Sequence, residues 1–382
     1  MPPTLPTAPS ATPAPSEPPV SSEPSASSTT PASSEPPAPP VPLTSPASPD
    51  SPASSISPSP RVRAASPGLG RFRLALRVAA VIACVPYLVL KVAWISGSRV
   101  GIPEGSPLLD HRVLMALVNG LTVLMDASVI VLALLLTRPW GLRVPARLLL
   151  APMWVATGLL TPIMAGYPLQ LAVKALGGGV GGGSSTGEGE PFLADWVFGV
   201  VYTGFILQGI TLGSLFALYA RDRWGHLWQG RVRDLPRAAR GARTAAGAAA
   251  LLALLPVALH VAWATGSTAG LGGARALRRT ADFHVLEALD AIYLVAAVTG
   301  ALLLVFRSSL PVRVPLTLAW LGSGAVGCWG AWLLLGSLAA LGDATKQPTG
   351  PMLLTYAVHM IIGTIVAVLM AGFLKERAGT TA

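Results

Sequence analysis

Charge is scarce in this sequence. Only 12% of its 382 residues are Asp, Glu, Lys or Arg, against 52% hydrophobic. A soluble domain carries about 25% charged residues, so there are too few polar groups here to cover a water-facing surface. Lysine is rarer still: Lys91, Lys174, Lys346 and Lys375 are the only four, and every other basic residue is arginine. Cysteine occurs twice, as Cys84 and Cys328. Both lie inside apolar runs, where a thiol reads as packing volume and not as part of a disulfide framework. The short motifs of nucleotide, zinc, serine-nucleophile and thiol-redox chemistry are missing: no Walker A sequence, no H-E-x-x-H, no G-x-S-x-G, no C-x-x-C. The glycine run at 177–183 lacks the following Lys-Ser/Thr of a phosphate loop and reads as a flexible connection. The N-terminus lacks a basic region followed by a short apolar stretch, so no signal peptide is expected.

What the chain has instead is apolar length. Its mean hydropathy is +0.59, and its hydrophobic residues fall into runs of about 20 or more, enough to cross about 30 Å of hydrocarbon as helix. Strands of a membrane barrel would read as alternating segments of about 10 residues, a pattern not found here. The runs place spans at roughly 74–95, 113–136, 148–171, 197–219, 245–265, 284–306, 316–340 and 352–374. The fold class expected is an all-α membrane protein of about eight transmembrane helices. A disordered Pro/Ser/Ala-rich cytoplasmic tail, 1–70, precedes them; Ser-Glu-Pro recurs there at 16–18, 22–24 and 34–36, and so polar a segment buries too little apolar surface to offset its ordering entropy.

The spans divide into two tandem copies. Lys-Val-Ala-Trp at 91–94 followed by Gly97-Ser98 matches His-Val-Ala-Trp at 260–263 followed by Gly266-Ser267, with Pro86 and Pro256 about two turns earlier. Arg143-Val144-Pro145 matches Arg313-Val314-Pro315. Tyr202, Gly209 and Arg221-Asp222-Arg223 match Tyr356, Gly363 and Lys375-Glu376-Arg377. Four spans per copy is an even number, so the copies share one orientation, as parallel repeats do. The expected division is a first four-helix repeat at 71–224, a basic cytoplasmic linker at 225–243, a second repeat at 244–377 and a short tail at 378–382. With both termini in the cytoplasm, 19 basic residues fall in cytoplasmic segments and 7 in outer ones, which favours that orientation in a bacterial cell membrane. The cluster Arg275, Arg278 and Arg279 is the loop that argues the other way.

Few ionisable residues lie within the spans, where each costs about 2.5–3.5 kcal/mol on insertion scales. Asp126 stands near the middle of the second span with Thr122 one turn before it, and Lys91 in the outer half of the first. The sixth span opens with His284, Glu287 and Asp290, spaced three apart on one face. His260 and His359 fall at the same outer depth. Lys91, Asp126, Glu287 and Asp290 are therefore candidates for a polar pathway between the repeats, in a transporter-like or permease-like protein. Lys91 has a plainer reading, snorkelling its ammonium to the interface. His260, His284, Glu287 and His359 form a second candidate set, ligands for zinc or another divalent metal; His260 and His359 alternatively face each other as axial haem ligands. That set defines the alternative function, a metal- or haem-binding redox protein or membrane enzyme, although no cofactor and no enzymatic activity is the first expectation. The tail offers a third reading, an anchor or scaffold for other proteins.

The expected partners are the lipid bilayer and, at the Arg-rich loops, anionic headgroups. Arg223-Trp224-Gly225-His226-Leu227-Trp228 reads as an interfacial segment, and Trp94, Trp196, Tyr219, Trp224 and Trp263 as interface anchors. Nucleic acid is not an expected partner; a homo-oligomer is allowed, and no motif names a small-molecule or ion substrate. The stretch Pro86-Tyr87-x-x-x-Lys91-x-x-Trp94, with the abundant Ala, Gly, Pro and Arg, resembles the uncharacterised multi-pass integral membrane proteins common in high-GC Gram-positive bacteria. That resemblance implies the architecture and carries no site residue.

Overall fold

The computed structural model describes residues 67–104, 106, 112–177, 193–277, 279–339 and 347–381. The Pro/Ser-rich segment up to residue 66, most of the glycine loop, Arg278 and Lys346 lie outside them. Among the described residues there are nine α-helices: α1 (Pro67–Ile95), α2 (Arg112–Thr137), α3 (Ala146–Ala175), α4 (Asp195–Trp224), α5 (Arg240–Ala264), the short α6 (Gly273–Leu277), α7 (Ala281–Val305), α8 (Arg313–Ala339) and α9 (Gly350–Thr381). All but α6 are long and apolar enough to cross a bilayer, eight spans in all. In hydrocarbon every backbone N–H and C=O must be satisfied within the segment, so a run of this composition has helix as its open-chain solution. Exposed Val, Leu and Ile along the outer faces, such as Ile82, Val89, Leu124 and Val295, are what lipid contact requires. α1 begins at Pro67, within the segment assigned above to the tail; a proline is well suited to a first helical turn, where its missing N–H has no partner to lose.

α1, α2 and α4 pack together around Cys84, Leu132, Ala133 and Leu212, with Leu149 of α3 joining them, and α5, α7, α8 and α9 around Leu294, Ala297, Val326 and Ile362. The two groups meet mainly where α3 lies on α8. Gly158 and Gly324 make that approach close: a Cβ on Gly158 would stand 2.4 Å from the Gly324 carbonyl oxygen. Three indoles then tie the seam with hydrogen bonds, Trp154 to Ser323 Oγ at 3.0 Å, Trp320 to Thr157 Oγ1 at 2.9 Å and Trp329 to the Leu159 carbonyl at 3.1 Å. Small residues with a few polar ties are how helices associate where lipid supplies no hydrophobic drive.

The turns after α1 and α5 have the same construction. The Trp94 indole donates to the Val100 carbonyl at 2.7 Å, and the Trp263 indole to the Ala269 carbonyl at 2.8 Å. Ser98 Oγ accepts from the Val100 amide as Ser267 Oγ accepts from that of Ala269. Gly97 and Gly266 take φ of 95° and 104°, a region that β-carbons disfavour. Trp94 and Trp263, expected as interface anchors from their place at span ends, are thus buried and hold the turns. Tyr219 likewise is buried, donating to the Gly141 carbonyl, whereas Trp196 is half exposed.

Candidate functional site: two buried charged clusters

The first cluster joins α1 to α2. Lys91 Nζ lies 2.7 Å from Asp126 Oδ2, and the two side chains are 1% and 5% exposed. The ammonium also sits 3.4 Å from the centroid of the Tyr87 ring, one helical turn earlier. Snorkelling to the interface is therefore excluded: the lysine turns into the bundle, where a carboxylate and an aromatic face replace its water. Tyr87 in turn meets Phe205 of α4 edge to face. Gln208, 1% exposed, completes the group. Its amide lies alongside Asp126, yet its nitrogen, sealed from water, completes no hydrogen bond. A buried donor left so costs about 1–3 kcal/mol.

A cavity of about 440 Å³ opens beside this cluster, within the range of about 300–1,000 Å³ usual for small-molecule sites. Thr122 and Asp126 face it from α2, Leu159 from α3, Gln208 from α4, and Trp329 and Trp332 from α8. The placement of Thr122 one turn before Asp126 on the same face agrees with the sequence reading. Among the described residues, Lys91 and Asp126 are the only charged ones in the lining.

The second cluster occupies the corresponding depth between α5, α7 and α9. His260 Nδ1 is 2.5 Å from Glu287 Oε2, and His260 Nε2 is 3.2 Å from His359 Nε2. All three residues are buried, so the opening of α7 is not a water boundary at Glu287. One ligand atom each from His260, Glu287 and Asp290 lies within 4.8 Å of the others. The surrounding cavity is small, about 40 Å³, and is closed by Arg275 of α6 and Tyr356 of α9, whose guanidinium and hydroxyl are hydrogen-bonded at 2.7 Å. His284 stands apart from the set: its Nδ1 meets the Trp263 carbonyl at 3.0 Å, which commits that nitrogen as a donor to the turn.

The sequence candidates thus gather into two pairs of neighbours and not one constellation. Lys91 and Asp126 form one, and Glu287 and Asp290, with His260 and His359, the other. Trp329 lines both cavities. The structure adds Tyr87, Gln208, Arg275 and Trp329 to the candidates. Gln208 was legible as a lone amide in an apolar span, and Tyr87 as a ring one turn from Lys91; Trp329 and Arg275 carry no local signal.

The geometry discriminates between the two cofactor readings. Two axial nitrogens on one iron would stand about 4 Å apart, twice a metal–nitrogen bond of about 2.0–2.1 Å, with a porphyrin between them. The imidazoles are closer than that, and 40 Å³ admits no macrocycle, so the haem pairing does not fit. A tetrahedral ion with bonds of that length separates its ligand atoms by about 3.3–3.4 Å, close to the 3.2 Å observed. Glu287 on Nδ1 would then hold His260 in the tautomer that presents Nε2, as outer carboxylates do at metal sites. No protein-family model, no curated protein and no solved structure matches the chain.

Proposed function

We propose that the protein is a transporter-like or permease-like membrane protein, with a polar pathway running between two tandem four-helix repeats. The observation that carries the reading is a ligand-sized cavity at Lys91 and Asp126 that shares a lining residue, Trp329, with a second buried ionisable cluster at His260, Glu287, Asp290 and His359. A static membrane anchor gains nothing from two such clusters, each expensive to keep in hydrocarbon. Transport gains groups that exchange protons or cations.

The repeat is supported by the identical hydrogen bonding of the turns after Trp94 and Trp263, and by the pairing of Lys91 with α2 and of His260 with α7. Arg73 with Asp222 and Arg307 with Glu376 form ion pairs at the end of the bundle where α1 begins; that Arg-rich end is assigned to the cytoplasm by the positive-inside rule. The 225–243 segment joins the halves there.

Cysteine accessibility tests the pathway without knowledge of a substrate. Native Cys84 and Cys328 are buried and are first changed to alanine. Thr122→Cys reports on the larger cavity and Met352→Cys on the smaller one. A membrane-impermeant thiol reagent should modify Met352→Cys from the outer face, where α9 begins, and Thr122→Cys from both faces of oriented vesicles. Access to Thr122→Cys from one face only, or from neither, would falsify the through-pathway.

The nitrogen spacing of His260 and His359 favours one second reading, a divalent-metal site on those two imidazoles with Glu287 holding His260 from its other nitrogen. Elemental analysis of purified protein should then give one transition metal per chain, lost in His260→Ala and His359→Ala and weakened about 10- to 100-fold by Glu287→Gln. Protein that binds no added Zn²⁺ or Co²⁺ in equilibrium dialysis would remove this reading.

A further inference from the structure

α2 and α3 follow one another through only a short connection, yet they scarcely touch, whereas α7 and α8 pack along their length. The cavity beside Lys91 fills the space between α2 and α3. Ser128 of α2 and Val155 of α3 both line it and both are exposed. Each lies about nine residues from the α2–α3 connection, and therefore about 14 Å along its helix. Half the thickness of a hydrocarbon layer is about 15 Å. The mouth of the cavity is thus at mid-bilayer, facing lipid and not water.

The chemistry of the interior narrows what enters. Apolar groups from Met125, Val129, Leu160, Ile163 and Phe205 make most of the wall. Lys91 and Asp126 already neutralise each other, so a ligand bearing net charge would have no counter-ion in the site. The spare polar group in the site is a donor: the Lys91 ammonium has three N–H groups, of which Asp126 and the Tyr87 face engage two, and beside it lies the Gln208 side chain, whose amide nitrogen is sealed from water and completes no hydrogen bond. We infer that the cavity takes an uncharged, oil-soluble molecule carrying a hydrogen-bond-accepting oxygen, of the ketone, ester or quinone class, admitted sideways from the bilayer between α2 and α3. This rests on the transporter reading for the molecule's later fate, but not for its binding.

Menadione, an uncharged bicyclic quinone, is a suitable probe because it quenches tryptophan emission and Trp329 and Trp332 line the cavity. Titration into proteoliposomes should give saturable quenching. Gln208→Leu should weaken it about 10-fold, and Ala156→Trp, which fills the cavity, should abolish saturation. Val155→Trp, at the lipid-facing mouth, should slow association at least 10-fold in stopped flow; it also serves if Ala156→Trp fails to insert. Quenching that is linear in probe, or identical in all these variants, would show partition into lipid only and overturn the proposal. An association rate untouched by Val155→Trp would overturn lateral entry. Saturable binding with no two-sided cysteine access would uphold the site and remove the transport reading; two-sided access with linear quenching would do the reverse.

Discussion

Lys91 and Asp126 show how much depends on a partner that local sequence does not name. Each residue alone reads as an expensive intramembrane charge; the 2.7 Å contact turns both into half of one neutral object. Removing one partner leaves the other charge buried, and single-partner loss from a buried pair costs about 3–5 kcal/mol. Lys91→Met and Asp126→Asn should therefore each lower the unfolding midpoint in detergent markedly. The double change Lys91→Met with Asp126→Leu should restore most of that stability, because an apolar pair packs and leaves no charge unpaired. Single variants as stable as the parent would contradict the pairing. The histidines illustrate the opposite error of reading by spacing. His284, Glu287 and Asp290 share a helical face, but His284 is spent on the Trp263 carbonyl. His359, 99 positions from His260, is the one whose nitrogen meets it.

Among the elements, α3 and α8 carry the junction of the two halves, and glycine sets their distance. A β-carbon on Gly158 would lie 2.4 Å from the Gly324 carbonyl oxygen, with backbone on the far side that cannot rotate away. Gly158→Val should destabilise by about 1–3 kcal/mol or more, as overpacking does. Gly120, in α2, has nothing within 4 Å of its would-be β-carbon, so Gly120→Ala should be neutral or slightly stabilising. Denaturation of the two variants in the same detergent checks both, and equal behaviour would argue against a tight α3–α8 seam. The helices themselves were legible: each expected span falls on one of the eight long helices, with ends displaced by a few residues. Their lateral order was not. α2 and α3 adjoin in sequence and stand apart, while α3 crosses to α8.

On the scale of the whole molecule, eight spans put the start of α1 and the end of α9 at the same face. Alkaline phosphatase fused after Arg377 should be inactive and fused after Gly97 active, if the Arg-rich end is cytoplasmic; the reverse pattern would invert the assignment. Composition determined by itself that this chain belongs in a bilayer as helix, because solvent preference is a sum over residues and the helical requirement in hydrocarbon follows from the backbone alone. The matching Trp-Gly-Ser turns were also visible in the letters, since a turn is built from neighbours in the chain. Only the tertiary structure decided that Lys91 points inward, that the Gln208 amide nitrogen completes no hydrogen bond, that His359 and not His284 joins His260, and that one tryptophan lines two cavities. Those outcomes depend on how each helix is rotated and which helix it meets. Van der Waals fit at small residues sets both, and that fit is a property of pairs of surfaces far apart in sequence.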